Sequence, residues 1–130
     1  QVSSIGSPIG KVKLLDQDDG TSNRYVEFAR YLDEDVSRAC QLAQKLQTRL
    51  IRGFSFYQPK NQPPESYLDE AAERLSQIAQ RVDAHGLTFG LEVEANLIGQ
   101  SGTLLAELHR RVNHPAMVLI FDGANLVCQG

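Results

Sequence analysis

Acidic residues interrupt or end two apolar stretches in the second half of the chain. Glu92 and Glu94 fall within LTFGLEVE (residues 87–94), and Asp122 ends MVLIFD (residues 117–122). Two carboxylates that lie close together repel each other, which raises the pKa of one of them unless a cation binds both. Carboxylate oxygens suit Mg²⁺ or Mn²⁺, and an added imidazole extends the choice to Zn²⁺ or Co²⁺. The pattern predicts that Glu92 and Asp122 bind one divalent cation; the spacing leaves open the alternative that both are solvated loop residues.

Basic residues are weaker candidates for a binding role. The turn GSPIGK carries Lys11, but its glycine spacing and the Val12 that follows do not fit the phosphate loop of nucleotide-binding proteins. A glycine-rich turn with a lysine can still contact an anion. Arg52 lies early in a predicted strand, where it either forms a structural ion pair or binds a substrate. GQSGT (residues 99–103) lacks the spacing of a hydrolase nucleophile elbow, and no histidine falls in a predicted strand.

Hydrophobic periodicity divides the chain into alternating strands and helices. The predicted strands cover residues 1–5, 50–57, 87–94 and 117–122, and the predicted helices cover residues 23–47, 66–84 and 102–112. The first helix has an alternative form with a break near residues 33–35. Ser66 with Asp69 resembles a capping box, and His85-Gly86 resembles a helix stop. This order predicts an α/β fold with a parallel sheet, which is either a small open sheet or half of an eight-stranded barrel.

Strand geometry brings the acidic residues to one edge of that sheet. Active sites of parallel α/β folds form at the carboxyl ends of the strands. Alternation along a strand puts Glu92 and Glu94 on one face, and Asp122 shares a face with Val118 and Ile120. If these two strands are neighbours, Glu92 and Asp122 converge above the sheet.

Composition and charge exclude several classes of protein. The 130 residues carry 13 Lys and Arg against 16 Asp and Glu, a formal net charge of −3, which argues against a nucleic-acid binder. The longest apolar run, residues 116–121, is far shorter than the ~20 residues of a membrane helix, and the N-terminus carries no secretory signal. Cys40 and Cys128 match no metal or redox spacing, which favours idle thiols in a reducing cytoplasm over a disulfide. Because the chain starts at Gln1 and stops at Gly130 in a predicted loop, we expect a piece of a longer protein.

Four strand-end segments together resemble one protein superfamily. They are SPIGK (7–11), IRGFSFY (51–57), LEVEANLIG (91–99) and FDGANLVCQG (121–130). In order and spacing they are similar to the xylose isomerase-like TIM barrels, and most of all to the sugar phosphate isomerase/epimerase branch. The resemblance spans essentially the whole chain and implies one partial barrel domain, residues 1–130, which holds the second to fifth strands of eight. Val93 and Ile98 depart from the Asn and Tyr of that branch.

The resemblance also implies roles for individual residues. Glu92 matches a metal ligand on the fourth barrel strand that also serves as an acid/base, and Asp122 matches the metal ligand on the fifth. The remaining matches are interpreted as substrate-binding residues: Asn125, Glu94, Lys11 and Arg52.

The implied activity is that of a sugar phosphate isomerase or epimerase. Such an enzyme uses Mn²⁺, Mg²⁺, Co²⁺ or Zn²⁺ to move a proton next to a sugar carbonyl through an enediolate. The superfamily completes its site with a His and a Glu from later strands, which would follow Gly130, so the isolated segment is expected to be inactive. The expected partner is a small sugar or sugar phosphate, with no nucleic acid and no membrane.

Two other functions stay open. A DNA-repair branch of the superfamily hydrolyses abasic-site phosphodiesters with several zinc ions, but it needs histidines on the second and third strands and D-x-x-H on the fifth. This chain has no histidine in those strands and reads Asp122-Gly-Ala-Asn125. The other alternative is a non-catalytic barrel fragment with a binding or structural role. If the four strands fold as a chain by themselves, open sheet edges and an inner face with Val118 and Ile120 predict a homo-oligomer; the alternative is that the segment is an excerpt of a complete barrel.

Overall fold

The computed structural model describes residues 5–6, 9–15, 23–59, 63–94 and 96–120. The strands are β1 (Ile5–Gly6), β2 (Leu50–Gly53), β3 (Thr88–Glu92) and β4 (Met117–Ile120). The α-helices are α1 (Phe28–Tyr31), α2 (Ser37–Lys45), α3 (Leu68–Ala84) and α4 (Gly102–Val112). A π-helical turn, Leu32–Val36, joins α1 to α2, and a 3₁₀ turn, Pro64–Tyr67, precedes α3.

The four described strands form one parallel sheet in chain order, β1-β2-β3-β4. Ile51 of β2 pairs with Phe89 of β3, and Phe89 pairs in turn with Met117 of β4. Each strand returns to the sheet through helical structure, as parallel neighbours require. The prediction of an α/β fold built from parallel βα units is confirmed.

The two faces of the sheet have different surroundings. Ile51, Phe89 and Leu91 are fully buried on the outer face, which packs against α2, α3 and α4. The opposite face is called the inner face below; it carries Leu50, Arg52, Thr88, Gly90, Glu92, Val118 and Ile120. A Cβ placed on Gly90 would lie 2.3 Å from Ile120 Cδ1, which confirms that these two residues share a face. The described helices therefore cover one side of the sheet and leave its inner face without a helix among the described residues.

The first helix, predicted over residues 23–47, begins at Phe28 and is interrupted by the π-helical turn Leu32–Val36. The first carbonyl of that turn accepts hydrogen bonds from Ser37 Oγ at 3.1 Å and from the Arg81 guanidinium at 3.2 Å. These donors satisfy a carbonyl at the point where regular α-helical bonding changes. The helix is therefore continuous from Phe28 to Lys45, and a π-helical turn in the acidic stretch takes the place of the alternative with a break.

The capping box predicted at Ser66 and Asp69 is wrong. Pro64–Tyr67 forms a 3₁₀ turn in which the Ser66 N–H donates to the Pro63 carbonyl at 3.0 Å, and α3 begins at Leu68 without a side-chain cap. Proline has a fixed φ and no N–H, so it is well suited to the first position of a helical turn. The helical turn therefore starts at the prolines, before the serine.

The predicted end of the helix over residues 66–84 and both predicted ends of the helix over residues 102–112 are confirmed. α3 ends at Ala84, and Gly86 has a φ of +73°, the left-handed conformation expected of a helix stop. α4 spans Gly102–Val112, and its first turn is capped by Ser101 Oγ, which accepts from the Leu104 N–H at 3.2 Å.

Cys40 is a free thiol, fully buried in α2, and its burial raises the thiol pKa to about 11. Cys128 lies outside the described residues. Among the helices that the structure describes, none is long and apolar enough to cross a membrane.

Candidate functional site

Glu92 is the last residue of β3 and lies on the inner face, at the carboxyl end of the sheet. Its side chain is 18% exposed, and Arg52 Nη1 of the neighbouring strand lies 3.9 Å from Glu92 Oε1. The register partner of Arg52 is Gly90, so the arginine side chain leans toward the carboxyl end of the sheet to reach Glu92. The distance exceeds that of a hydrogen bond, so the two groups form a loose ion pair.

A second ion pair crosses the same edge of the sheet. Lys11, in the loop after β1, places Nζ 3.3 Å from Oε1 of Glu94, which follows β3. The same ammonium group lies 4.4 Å from the centre of the Phe54 ring, which follows β2. A cation over an aromatic face is attracted by the ring quadrupole, so Phe54 and Glu94 together hold Lys11 at this edge.

The loop that carries Lys11 is bound to the segment after β2. The Phe54 N–H donates to the Ile9 carbonyl at 2.8 Å, and the Phe56 N–H donates to the Gly10 carbonyl at 2.9 Å. Gly10 has a φ of +85°, and a Cβ there would lie 1.8 Å from the Phe54 carbonyl oxygen. Only glycine permits this close approach, so Gly10 determines where Lys11 lies.

The segment after β2 is bound on its other side to the loop after β3. The Ile98 N–H donates to the Phe56 carbonyl at 3.0 Å, and the Gly99 N–H donates to Ser55 Oγ at 2.7 Å. Phe56 is buried and has a φ of +71°, which ends the extended backbone. The strand predicted over residues 50–57 stops at Gly53, and the segments that follow β1, β2 and β3 form a second hydrogen-bonded layer.

The order of strands and the layer of loops at their carboxyl ends agree with a family assignment made on the sequence. The sequence model described as "Xylose isomerase-like TIM barrel" matches residues 6–130. The chain belongs to the xylose isomerase-like TIM barrel family. No curated protein matches the sequence.

Solved structures show the barrel fold of the family over nearly the whole chain. The probable 3-DHS dehydratase AsbF of Bacillus anthracis is 18% identical with a TM-score of 0.79; the match covers 100% of this chain and 43% of that one. The IolI protein, solved with a bound zinc atom, is 12% identical with a TM-score of 0.74, over 98% and 43% of the two chains. An L-ribulose 3-epimerase is 20% identical with a TM-score of 0.61, over 89% and 38%. The chain thus spans about two fifths of the length of these barrels.

Four of the predicted site residues lie at this edge of the barrel sheet as two ion pairs, Arg52 with Glu92 and Lys11 with Glu94. Asp122 and Asn125 lie outside the described residues. The sequence analysis did not single out Ser55, which is fully buried and connects two loops of the site. A lone serine between two phenylalanines was the available signal, since a buried hydroxyl requires a hydrogen-bond partner.

The described carboxylates fit part of a divalent-cation site. Carboxylate oxygens are ligands that Mg²⁺ and Mn²⁺ prefer, and Glu92 presents one at the carboxyl end of a barrel strand. Within the described ranges, no group of three His, Cys, Asp or Glu side chains could hold a metal ion. The described residues therefore supply one ligand, Glu92, with Arg52 beside it, while Glu94 is paired with Lys11.

Proposed function

We propose that the full-length protein is a cytoplasmic isomerase or epimerase of sugars or sugar phosphates. The observation that carries the proposal is the position of Glu92, a largely buried carboxylate at the carboxyl end of β3 on the inner face of a barrel sheet. One similar structure is named an epimerase and another a probable dehydratase, so the fold alone does not select the reaction. The resemblance of the strand-end motifs favours the isomerase/epimerase branch.

Glu92 acts as the base in the proposed reaction. Its carboxylate takes the proton from the carbon next to the substrate carbonyl, and the electron pair of the broken C–H bond moves toward the carbonyl oxygen to give an enediolate. Return of the proton from Glu92 to the neighbouring carbon, with transfer of the hydroxyl proton between the two oxygens, isomerises the sugar. Delivery of a proton to the opposite face of the same carbon by a second acid, which the resemblance assigns to a later strand, epimerises it.

The other predicted residues bind and orient the substrate in this proposal. A divalent cation held by Glu92 and Asp122 would supply positive charge to the developing oxyanion. Lys11 offers N–H donors to a phosphate or hydroxyl group, while Glu94 accepts hydrogen bonds from hydroxyls. Asn125 adds an amide that can both donate and accept.

A non-catalytic binding role is the second candidate. Within the described residues, both carboxylates of the edge are paired with basic side chains, Glu92 with Arg52 and Glu94 with Lys11. A protein that only bound a polar ligand could use these pairs without any proton transfer.

Exchange of substrate hydrogen for deuterium separates the two candidates. The full-length protein with added Mn²⁺ is incubated in D₂O with a panel of ketoses and ketose phosphates, and proton NMR follows the hydrogen next to the carbonyl. We expect exchange and slower conversion to the isomer or epimer. Glu92→Gln is expected to lower the exchange rate by about 10²- to 10⁴-fold, the usual contribution of a general base.

The matched control is Glu73→Gln, which removes an exposed carboxylate on α3, outside the edge that carries Glu92. Its exchange rate is expected to equal that of the parent. A parent protein that exchanges no hydrogen on any member of the panel contradicts the proposed enzyme and leaves the binding role.

A further inference from the structure

Arg52 lies beside Glu92 on the inner face of the sheet. Its Nη1 atom lies 3.9 Å from Glu92 Oε1 on β3. On the other side, a Cβ placed on Gly6 of β1 would lie 3.4 Å from Arg52 Nη2. The guanidinium group therefore extends across the inner face from β1 to β3, and the register of three parallel strands places it there.

The two partners of this ion pair differ in burial. The Glu92 side chain is 18% exposed, whereas the Arg52 side chain is 42% exposed. In the part of the chain that the structure describes, Arg52 is the one basic side chain that pairs with Glu92. A carboxylate that has lost most of its hydration needs a compensating charge, and Arg52 supplies it.

The Arg52–Glu92 pair is also longer than several other ion pairs in the described part of the chain. Arg24 Nη2 lies 2.8 Å from Asp35 Oδ2, although the Arg24 side chain is 66% exposed. The Arg52–Glu92 distance is more than an ångström longer, although the Glu92 side chain, 18% exposed, is more buried than that of Asp35, 29% exposed. At this distance the guanidinium compensates the charge of Glu92 by proximity and not through a hydrogen bond between the two groups.

We propose that Arg52 is a resident counterion of Glu92 that a divalent cation displaces, so that Arg52 lowers the affinity of the site for that cation. The inference rests on the proposed function, which gives Glu92 a role as metal ligand. Two positive groups that approach one carboxylate repel each other, and this repulsion is strong where water is partly excluded. Movement of Arg52 away from Glu92 therefore accompanies cation binding.

The test measures the affinity of the full-length protein for Mn²⁺ alone, from the electron paramagnetic resonance signal of free Mn²⁺. Arg52→Gln removes the charge and Arg52→Lys keeps it. The matched control is Arg38→Gln, which breaks an ion pair of the same length, 3.9 Å, between α2 and Asp35 of the π-helical turn. We expect Arg52→Gln to bind Mn²⁺ about five- to tenfold more tightly at low ionic strength, since that is the scale of one partly exposed ion pair. Arg52→Lys and Arg38→Gln are expected to bind like the parent, and salt is expected to reduce the gain.

A second measurement needs no metal. Thermal unfolding of the parent, Arg52→Gln, Glu92→Gln and the double variant is compared in the presence of a chelator. If Arg52 is the counterion of Glu92, the two single substitutions lower the melting temperature non-additively, and the double variant is more stable than their sum predicts.

The outcomes separate this inference from the function on which it rests. If the parent binds Mn²⁺ and Arg52→Gln binds it equally or more weakly, the counterion role is overturned and the metal-dependent function stands. Strict additivity of the two substitutions in the absence of metal overturns the counterion role as well. If the folded parent binds no Mn²⁺, the metal-dependent function fails, and the inference fails with it.

Discussion

Tyr31 shows how a single buried hydroxyl supports the edge of the sheet that carries Lys11. Tyr31 is 2% exposed at the end of α1, and its hydroxyl oxygen accepts a hydrogen bond from the Gly10 N–H at 2.9 Å. Burial raises the pKa of Tyr31 to about 12, although the hydrogen bond from Gly10 opposes this shift. The neutral phenol is therefore the form that helps to hold the loop after β1.

Tyr31→Phe is expected to destabilise the protein at neutral pH by about 1–3 kcal/mol, because the buried Gly10 N–H loses its acceptor. The pKa of Tyr31 is higher in the folded protein than the ordinary value of 10.0. The contribution of the neutral Tyr31 side chain to the free energy of unfolding is therefore fully present below about pH 10 and is lost as the pH rises toward 12. Urea denaturation at several pH values should show the difference between parent and variant shrinking in alkali.

Tyr25→Phe is the control for that measurement, since Tyr25 lies only a few residues away and is half-buried. Equal losses of stability in Tyr31→Phe and Tyr25→Phe at neutral pH would contradict the role given to the Tyr31 hydroxyl.

At the scale of the structural elements, the conformation of the loop after β1 depends on Gly10. Gly10 and Gly86 both have a positive φ, +85° and +73°. A Cβ on Gly10 would lie 1.8 Å from the Phe54 carbonyl oxygen, whereas a Cβ on Gly86 would meet nothing within 4 Å. An alanine at Gly86 would therefore meet backbone strain alone, whereas an alanine at Gly10 would meet both strain and a steric clash.

Gly10→Ala is expected to cost about 2–4 kcal/mol of stability, as strain and overpacking add, and to displace Lys11 from Glu94. Gly86→Ala should cost only the strain, about 1 kcal/mol. Chemical denaturation of both variants measures the two costs. Similar losses of stability in the two variants would show that the loop after β1 does not pack against Phe54 as described.

For the whole molecule, the inner face of the sheet is the surface that the described helices leave uncovered. Val118 of β4 is 38% exposed there, and Ile120 is half-buried. Parallel sheets are rarely left uncovered on either face, because their strands are apolar on both. Within the described residues the sheet also ends at β1 and β4, which leaves backbone groups available to a further strand.

We propose that the 130-residue chain, prepared by itself, associates through this inner face and buries more than about 2,000 Å² in total. Light scattering should give a mass above that of one chain. Val118→Asp is expected to weaken the association, because it introduces a charge into the contact. Leu42→Asp is the control: Leu42 is 49% exposed on α2, away from the inner face, and should leave the mass unchanged. A monodisperse parent of single-chain mass contradicts the proposal.

The sequence by itself determined the order of the elements and the position of Glu92 at the end of a strand. The periodicities of strands and helices are local properties, so the segments around Glu92 and the helix Gly102–Val112 could be predicted without tertiary information. The strand-end motifs likewise predicted a family that the match over residues 6–130 confirms. The roles of the site residues stay predictions, and Asp122 and Asn125 lie outside the described residues.

Tertiary structure alone decided which charged groups meet. Arg52 could have formed an ion pair or remained available to a substrate, and the register of β2 against β3 placed it beside Glu92. Lys11 and Glu94 are far apart in the chain, and their contact depends on loops that pack across the end of β2. Such contacts arise from register and loop packing between distant segments, and neither property is carried by the local pattern around each residue.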